Sequence, residues 1–236
     1  MSRGLGDVYK RQVIALFPSR YINLGGDEAT KTNWKKCPLC QARIHKEHLA
    51  DEEAYNHSLM VAEIVDEYIQ LAKKENELDW TEEECKSILK GALLHDIGKA
   101  FLPFGLQHSK GRLDEYEAEI MRFHPTLGRV SLQHSDFDII VKNIILMHHA
   151  NADGSGYPTI SGNILTEENV PDYVWLVAYA DRFEAMTNSR SFKKAMTYPK
   201  AWGEILRMSR NGILPYRFTR LFGEIIREKS LFHIDL

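Results

Sequence analysis

The feature that most limits the fold is a helical repeat of apolar residues running, with short breaks, from Asp51 to the end of the chain. Apolar side chains return every three or four residues, the spacing that gathers them on one face of an α-helix, and no alternating run of useful length suggests a strand. The pattern predicts helices over 53–74, 81–96, 114–123, 137–149, 173–186, 199–209 and 218–228. Thr81 with Glu84 and Asp114 with Glu117 read as capping boxes, Pro199 suits a first helical turn, and Gly212 sits near a stop. The expectation for residues 51–236 is an all-α helical bundle.

Composition narrows the function classes. With 44% hydrophobic and 27% charged residues over 236 positions, the chain can bury a core and is not of the disordered class. A net charge of −3 supplies no basic field for duplex nucleic acid, so a phosphate-bearing ligand must be held by a local site. The three cysteines, Cys37, Cys40 and Cys85, offer no disulfide framework and fit a reducing cytoplasm. No spanning segment is visible; residues 13–17 are too short.

The first fifty residues differ in character. Residues 1–12, ending Asp7-Val8-Tyr9-Lys10-Arg11-Gln12, resemble a translated transposon end used in preparing sequencing libraries and are expected to be an artefact. Residues 13–50 carry Asn23-Leu24-Gly25-Gly26-Asp27-Glu28-Ala29, Trp34 and Cys37-Pro38-Leu39-Cys40. They resemble a fragment of the family 20 glycoside hydrolases, which would make Glu28 a general acid and Asp27 the residue that orients the substrate's acetamido group. So short a piece cannot close an eight-stranded barrel, which takes about 250 residues. A diguanylate cyclase reading of Gly25–Glu28 fails because the following residues are polar, and one Cys-x-x-Cys pair is weak as a zinc signal. These residues are expected to form a poorly structured appendage rather than a domain.

Five of the ten histidines fall at predicted helix ends or faces beside carboxylates: His57, His95, His124, His148 and His149. His95-Asp96 closes an apolar run, so two metal-binding side chains project from the end of a buried helix. Burying an unpaired carboxylate there would cost several kcal/mol, roughly, and a cation offsets that cost. Asp96 offers two oxygens and can bridge two ions about 3.5–4 Å apart. Lys99 shares their helical face and can reach a phosphate oxygen.

The order Glu53/His57, His95-Asp96, Lys99, His124-Pro125, His148-His149, Asp153-Gly154-Ser155-Gly156-Tyr157-Pro158 and Asp181 resembles the HD-GYP family of cyclic di-GMP phosphodiesterases. Lys110-Gly111-Arg112-Leu113 and Phe183-Glu184-Ala185-Met186-Thr187 extend the likeness. The resemblance implies an HD-domain helical bundle with the added C-terminal helices of that family. It implies that His57, His95, Asp96 and Asp181 surround one metal ion, and that Asp96 bridges to a second held by His124, His148 and His149. Glu53, one turn before His57, is a candidate ligand for a third ion, against the alternative of a solvated carboxylate. By the same resemblance Asp96 and Lys99 serve catalysis, while Gly156, Tyr157, Pro158, Arg190 and Lys193 contact the substrate.

The implied reaction is hydrolysis of cyclic di-GMP to pGpG or GMP by a hydroxide bridging two divalent ions. A mixed imidazole and carboxylate set without thiolate suits Fe or Mn at least as well as Zn. The implied partners are cyclic di-GMP or a related cyclic dinucleotide, with a homodimer or an upstream sensory domain as further candidates. The chain departs from the family at Ala150, where an acidic residue is usual, and at Asn151, Ala152 and Ser191. Those departures keep open a non-catalytic cyclic-dinucleotide receptor and another nucleotide phosphohydrolase of the HD type.

Overall fold

The computed structural model describes residues 52–103, 106, 113–160, 162–188 and 194–232, with side chains from 56 to 230 within those ranges. The glycosidase-like segment with Asp27 and Glu28, the first two cysteines, the Glu53 side chain, Arg190 and Lys193 lie outside the described residues.

Eight α-helices are described: α1 (Glu52–Lys74), α2 (Glu82–Leu94), α3 (Glu115–Met121), α4 (His124–Ser131), α5 (Ile139–Met147), α6 (Asp172–Thr187), α7 (Tyr198–Arg210) and α8 (Thr219–Phe232). Short 3-10 turns at Ile97–Phe101 and Tyr216–Phe218 join them. Among the described residues the only extended pairing is an isolated bridge between Ile160 and Asn163, so the fold is all-α as expected. No described helix is long and apolar enough to cross a membrane.

The centre is α6, whose residues are buried without a break from Val174 through Asp181. A helix apolar on every side has no solvent face and must sit inside the bundle. It packs against α1, α5 and α7, while α2 packs on α1 and α5, and α8 on α7 and α1. Trp175, Leu176, Ile144 and Ile205 are fully buried, each burial stabilising the fold by about 1.5–3 kcal/mol. Even the buried phenol of Tyr179 is satisfied: it donates to the Pro215 carbonyl at 2.7 Å and stacks on Phe222 at 4.8 Å.

Both capping boxes form. Glu84 N donates to Thr81 Oγ1 at 3.2 Å while Thr81 N donates to Glu84 Oε2 at 2.8 Å, and Asp114 and Glu117 repeat the exchange. Helix ends, however, differ from the sequence expectation where the site lies. The helix expected over 81–96 stops at Leu94, and Asp96 leaves the helical region at φ −96° and ψ 8°. The helix expected over 137–149 runs only from Ile139 to Met147. An unexpected helix, α4, begins at His124, its polar and glycine-containing eight residues being too short for a clear periodic signal. Gly98 explains how α4 meets the turn after Asp96: a Cβ there would stand 1.8 Å from the His124 carbonyl oxygen.

Candidate metal centre

These helix ends gather the expected ligands. His57 comes from α1, His95 caps the end of α2, and Asp96 opens the following turn. His124 begins α4, His148 caps the end of α5 with His149 next, and Asp181 lies in α6. All but Asp96 and His149 are in the buried class, and His95 and His148 have no exposed surface.

Hydrogen bonds to the far nitrogens aim four of the rings. The Nδ1 of His95 lies 2.7 Å from Ala92 O, that of His124 2.8 Å from Met121 O, and that of His148 3.0 Å from Ile145 O. His57 gives Nδ1 to the Glu184 carboxylate. A neutral imidazole that donates from Nδ1 turns a lone pair outward at Nε2, the arrangement a metal ligand needs. The Nε2 atoms then converge: His57 and His95 approach to 3.2 Å, and so do His124 and His148. Neighbouring donors about 2.1 Å from one ion have roughly this spacing.

Asp96 joins the two groups. Its Oδ2 is 3.6 Å from His57 Nε2 and 3.4 Å from His95 Nε2, and its Oδ1 is 3.1 Å from His124 Nε2 and 3.8 Å from His148 Nε2. Asp181 Oδ1 lies 3.2 Å from His57 Nε2, and its Oδ2 lies 4.0 Å from His149 Nδ1. Asp96 Oδ1 is buried and accepts no hydrogen bond. A buried carboxylate oxygen left without a hydrogen bond is one that a cation would satisfy. The side chains therefore fit two clusters capable of holding ions, His57, His95 and Asp96 in one, and Asp96, His124, His148 and His149 in the other.

Charge points the same way. Burial raises the affinities of Asp96 and Asp181 for protons, yet Lys99 and nearby histidines at Asp96, and His57, His95 and His149 at Asp181, outweigh it and hold both carboxyls well below the usual range. Burial lowers the His57 pKa, but Asp181 and Glu184 more than reverse it and raise the ring to about 9. His148 is pushed down to about 4 by burial, and His149 also lies well below its ordinary value, first through burial and then through His148. A proton on His57 balances the buried carboxylates, and a divalent ion would replace it.

Glu184 has a role that sequence reasoning missed. It is buried, orients His57 and also accepts from the Asn188 amide. Its position three residues after Asp181, on the same helix face, was the available signal.

Of the expected substrate contacts, Lys99 lies beside the site with its Nζ 2.5 Å from Asp96 Oδ2 and its side chain 35% exposed. Tyr157 stacks on His149 with ring centroids 4.7 Å apart. Gly156 sits under the loop backbone, where a Cβ would meet Asn151 N at 2.4 Å and His149 O at 2.6 Å. Pro158 follows Tyr157 through a cis peptide bond. Ala150 is fully buried, and its carbonyl and the Asn151 side-chain oxygen accept from Arg182 at 3.0 and 2.9 Å. The guanidinium of Arg122 stands 6.0 Å from the Tyr157 ring centre, adding positive charge at this edge.

A helical bundle that turns histidines and aspartates from five segments onto one buried point is a helical domain whose clustered side chains could hold metal ions. The family model described as HD domain matches residues 42–213, and the chain belongs to that family. It is 37% identical over 127 residues to the cyclic di-GMP phosphodiesterase response regulator RpfG of Xanthomonas campestris pv. campestris, covering 53% of this chain and 32% of that protein. It is 30% identical over 181 residues to 3'3'-cGAMP-specific phosphodiesterase 1 of Vibrio cholerae, covering 76% of this chain and 38% of that protein. The chain thus spans about a third of the length of these curated relatives. In fold it is similar to Bd1817 of Bdellovibrio bacteriovorus, with a TM-score of 0.57 at 23% identity over 74% of this chain and 52% of that one. It is also similar to the PgpH HD domain of L. monocytogenes in complex with cyclic-di-AMP, with a TM-score of 0.53 at 17% identity over 84% of this chain and 97% of that one.

Proposed function

We propose that this chain is an HD-GYP-type phosphodiesterase of the cytoplasm that hydrolyses a cyclic dinucleotide, cyclic di-GMP foremost, to pGpG or GMP. The observation that carries the reading is Asp96, one carboxylate shared by two histidine clusters and left with a buried oxygen that has no hydrogen-bond donor. His57, His95, Asp96 and Asp181 would hold one divalent ion, and Asp96, His124, His148 and His149 the second, Fe or Mn being the best matches for such donors. Glu53 is the candidate for a third. When bound, the ions supply Lewis acidity, acidifying the attacking water and drawing charge from the phosphoryl oxygens.

The chain's own residues do the rest. Glu184 and the helix carbonyls orient the imidazoles, so no reorganisation is needed when charge develops. Lys99 holds positive charge beside Asp96, within reach of a phosphate oxygen. Gly156, Tyr157 and Pro158 form the wall of the substrate pocket, and Arg190 and Lys193 are assigned to its phosphates, where a forked guanidinium suits the geometry. The names of the relatives support a cyclic dinucleotide as the substrate class. A homodimer and an upstream sensory domain remain part of this reading.

The test is turnover by the full chain, loaded anaerobically with Mn or Fe, of cyclic di-GMP, 3'3'-cGAMP and cyclic-di-AMP, with products separated by chromatography. Linear dinucleotide from cyclic di-GMP is the expected result. Tight binding without product would favour a receptor, the alternative that Ala150 keeps in view. Hydrolysis of simple nucleotides alone would point to a different HD phosphohydrolase.

A further inference from the structure

Four of the five clustered histidines are aimed by a hydrogen bond from Nδ1, to a helix carbonyl or to Glu184. His149 is the exception. Its ring makes no hydrogen bond among the described residues, the nearest carboxylate oxygen being Asp181 Oδ2 at 4.0 Å. It also lies past the end of α5, so the helix does not direct it. The rings of His148 and His124 lie 4.2 and 5.1 Å from it at 45° and 90°, and from outside the cluster the Tyr157 ring stacks on it at 4.7 Å with an interplanar angle of 27°.

The loop around Tyr157 is built to keep that stack in register. Tyr157 N donates to the His149 carbonyl at 3.2 Å, which ties the backbones of the stacked pair together. Gly156 lets the strand of chain before Tyr157 press onto residues 149–151, where no Cβ would fit. Arg182, next to the ligand Asp181, donates to Ala150 O and Asn151 Oδ1, and Asn151 Nδ2 donates to Ser155 Oγ at 2.9 Å. A restraint therefore runs from α6 through Arg182 and Asn151 into the loop that carries Tyr157.

We infer that Tyr157 is a positioning residue for the second ion: its ring does for His149 what the Nδ1 hydrogen bonds do for the other four. This rests on the two-ion reading above and adds to the substrate contact assigned to Tyr157. A stack restrains ring tilt but leaves sliding freer than a hydrogen bond does, so the second ion is the one whose affinity follows the loop. Loss of the outer support of a metal-binding histidine typically costs about 10- to 100-fold in metal affinity.

The experiment compares the full chain with its Tyr157→Phe, Tyr157→Met and Tyr157→Leu variants in buffered Mn. Bound ions are counted by elemental analysis, and paired ions are detected by the electron-paramagnetic signature of coupled Mn. Tyr157→Phe keeps the ring and should hold both ions as the parent does. Tyr157→Met and Tyr157→Leu keep apolar bulk without the stack and should retain one ion, the second weakened about 10-fold or more. Thermal unfolding identifies which of these two variants is folded, and one folded variant suffices. Two ions bound with parental affinity in a folded Met or Leu variant would overturn the inference, even if turnover fell. A parent chain that never binds a second ion would overturn the two-ion reading with it.

Discussion

The Nε2 atoms of His124 and His148 lie 3.2 Å apart although each ring has turned its Nδ1 toward a backbone carbonyl. Both Nε2 atoms thus turn toward Asp96 Oδ1, which lies 3.1 Å from that of His124 and 3.8 Å from that of His148. Such a cluster is stable because helix ends and buried packing hold it, and it gains most from a cation.

Glu184→Gln removes the charge behind His57 while keeping the shape of its partner. Metal affinity should fall about 10- to 100-fold, with little change in fold, because the ring remains packed but is a poorer donor. Isothermal titration with Mn checks this; unchanged affinity would leave Glu184 a merely structural group.

Gly98→Ala places a methyl where the His124 carbonyl stands. Overpacking of this kind costs about 1–3 kcal/mol, and the displaced turn carries His95 and Asp96 with it. Urea unfolding should shift accordingly, and metal content should drop in the fraction that remains folded.

Lys99→Met removes a cation paired with Asp96 at 2.5 Å without touching an imidazole. If Lys99 acts on transition-state charge, the metal content stays at parental level while kcat falls about 100-fold. Equal loss of metal and of activity would instead make Lys99 a partner of Asp96 and nothing more.

The metal-free protein should be most stable near pH 6.5, the ordinary histidine value. His57, raised to about 9, binds a proton in the folded state that the unfolded chain releases, so its contribution is complete below pH 6.5 and is lost as the pH climbs through about 9. His148, lowered to about 4, works in the opposite sense: between 6.5 and 4 the unfolded chain takes up a proton that the folded state refuses, and stability falls with the pH. Urea midpoints between pH 5 and 9 in the presence of a chelator measure both arms. Saturating metal should stabilise the protein and remove the alkaline decline, since a bound ion takes the place of the His57 proton.

Much of the site was legible because its residues carry unusual chemistry at helix-compatible spacing. His95-Asp96 at the end of an apolar run announced a buried polar pair, and the capping boxes at Thr81 and Asp114 marked helix starts that the structure contains. Glu184 was harder to read: a carboxylate three residues after Asp181 is unremarkable until α1 brings His57 against it. The helix α4 escaped because its eight residues, with one proline and one glycine, show little periodicity. Exact helix ends escaped for a related reason, since capping by residues such as Asp138 competes with continued helical hydrogen bonding over one or two positions.

The sequence by itself determined the all-α character, the identity of the candidate ligands and their order along the chain, because periodicity and residue chemistry are local properties. Only the tertiary structure decided that Asp96 faces both histidine clusters, that Lys99 is paired with it, that Glu184 backs His57 and that Tyr157 backs His149. Those relations join residues as far as 127 positions apart, and they depend on how α1, α2, α4, α5 and α6 pack. Packing angles and helix ends follow from the summed burial of whole faces, which no short stretch of sequence contains.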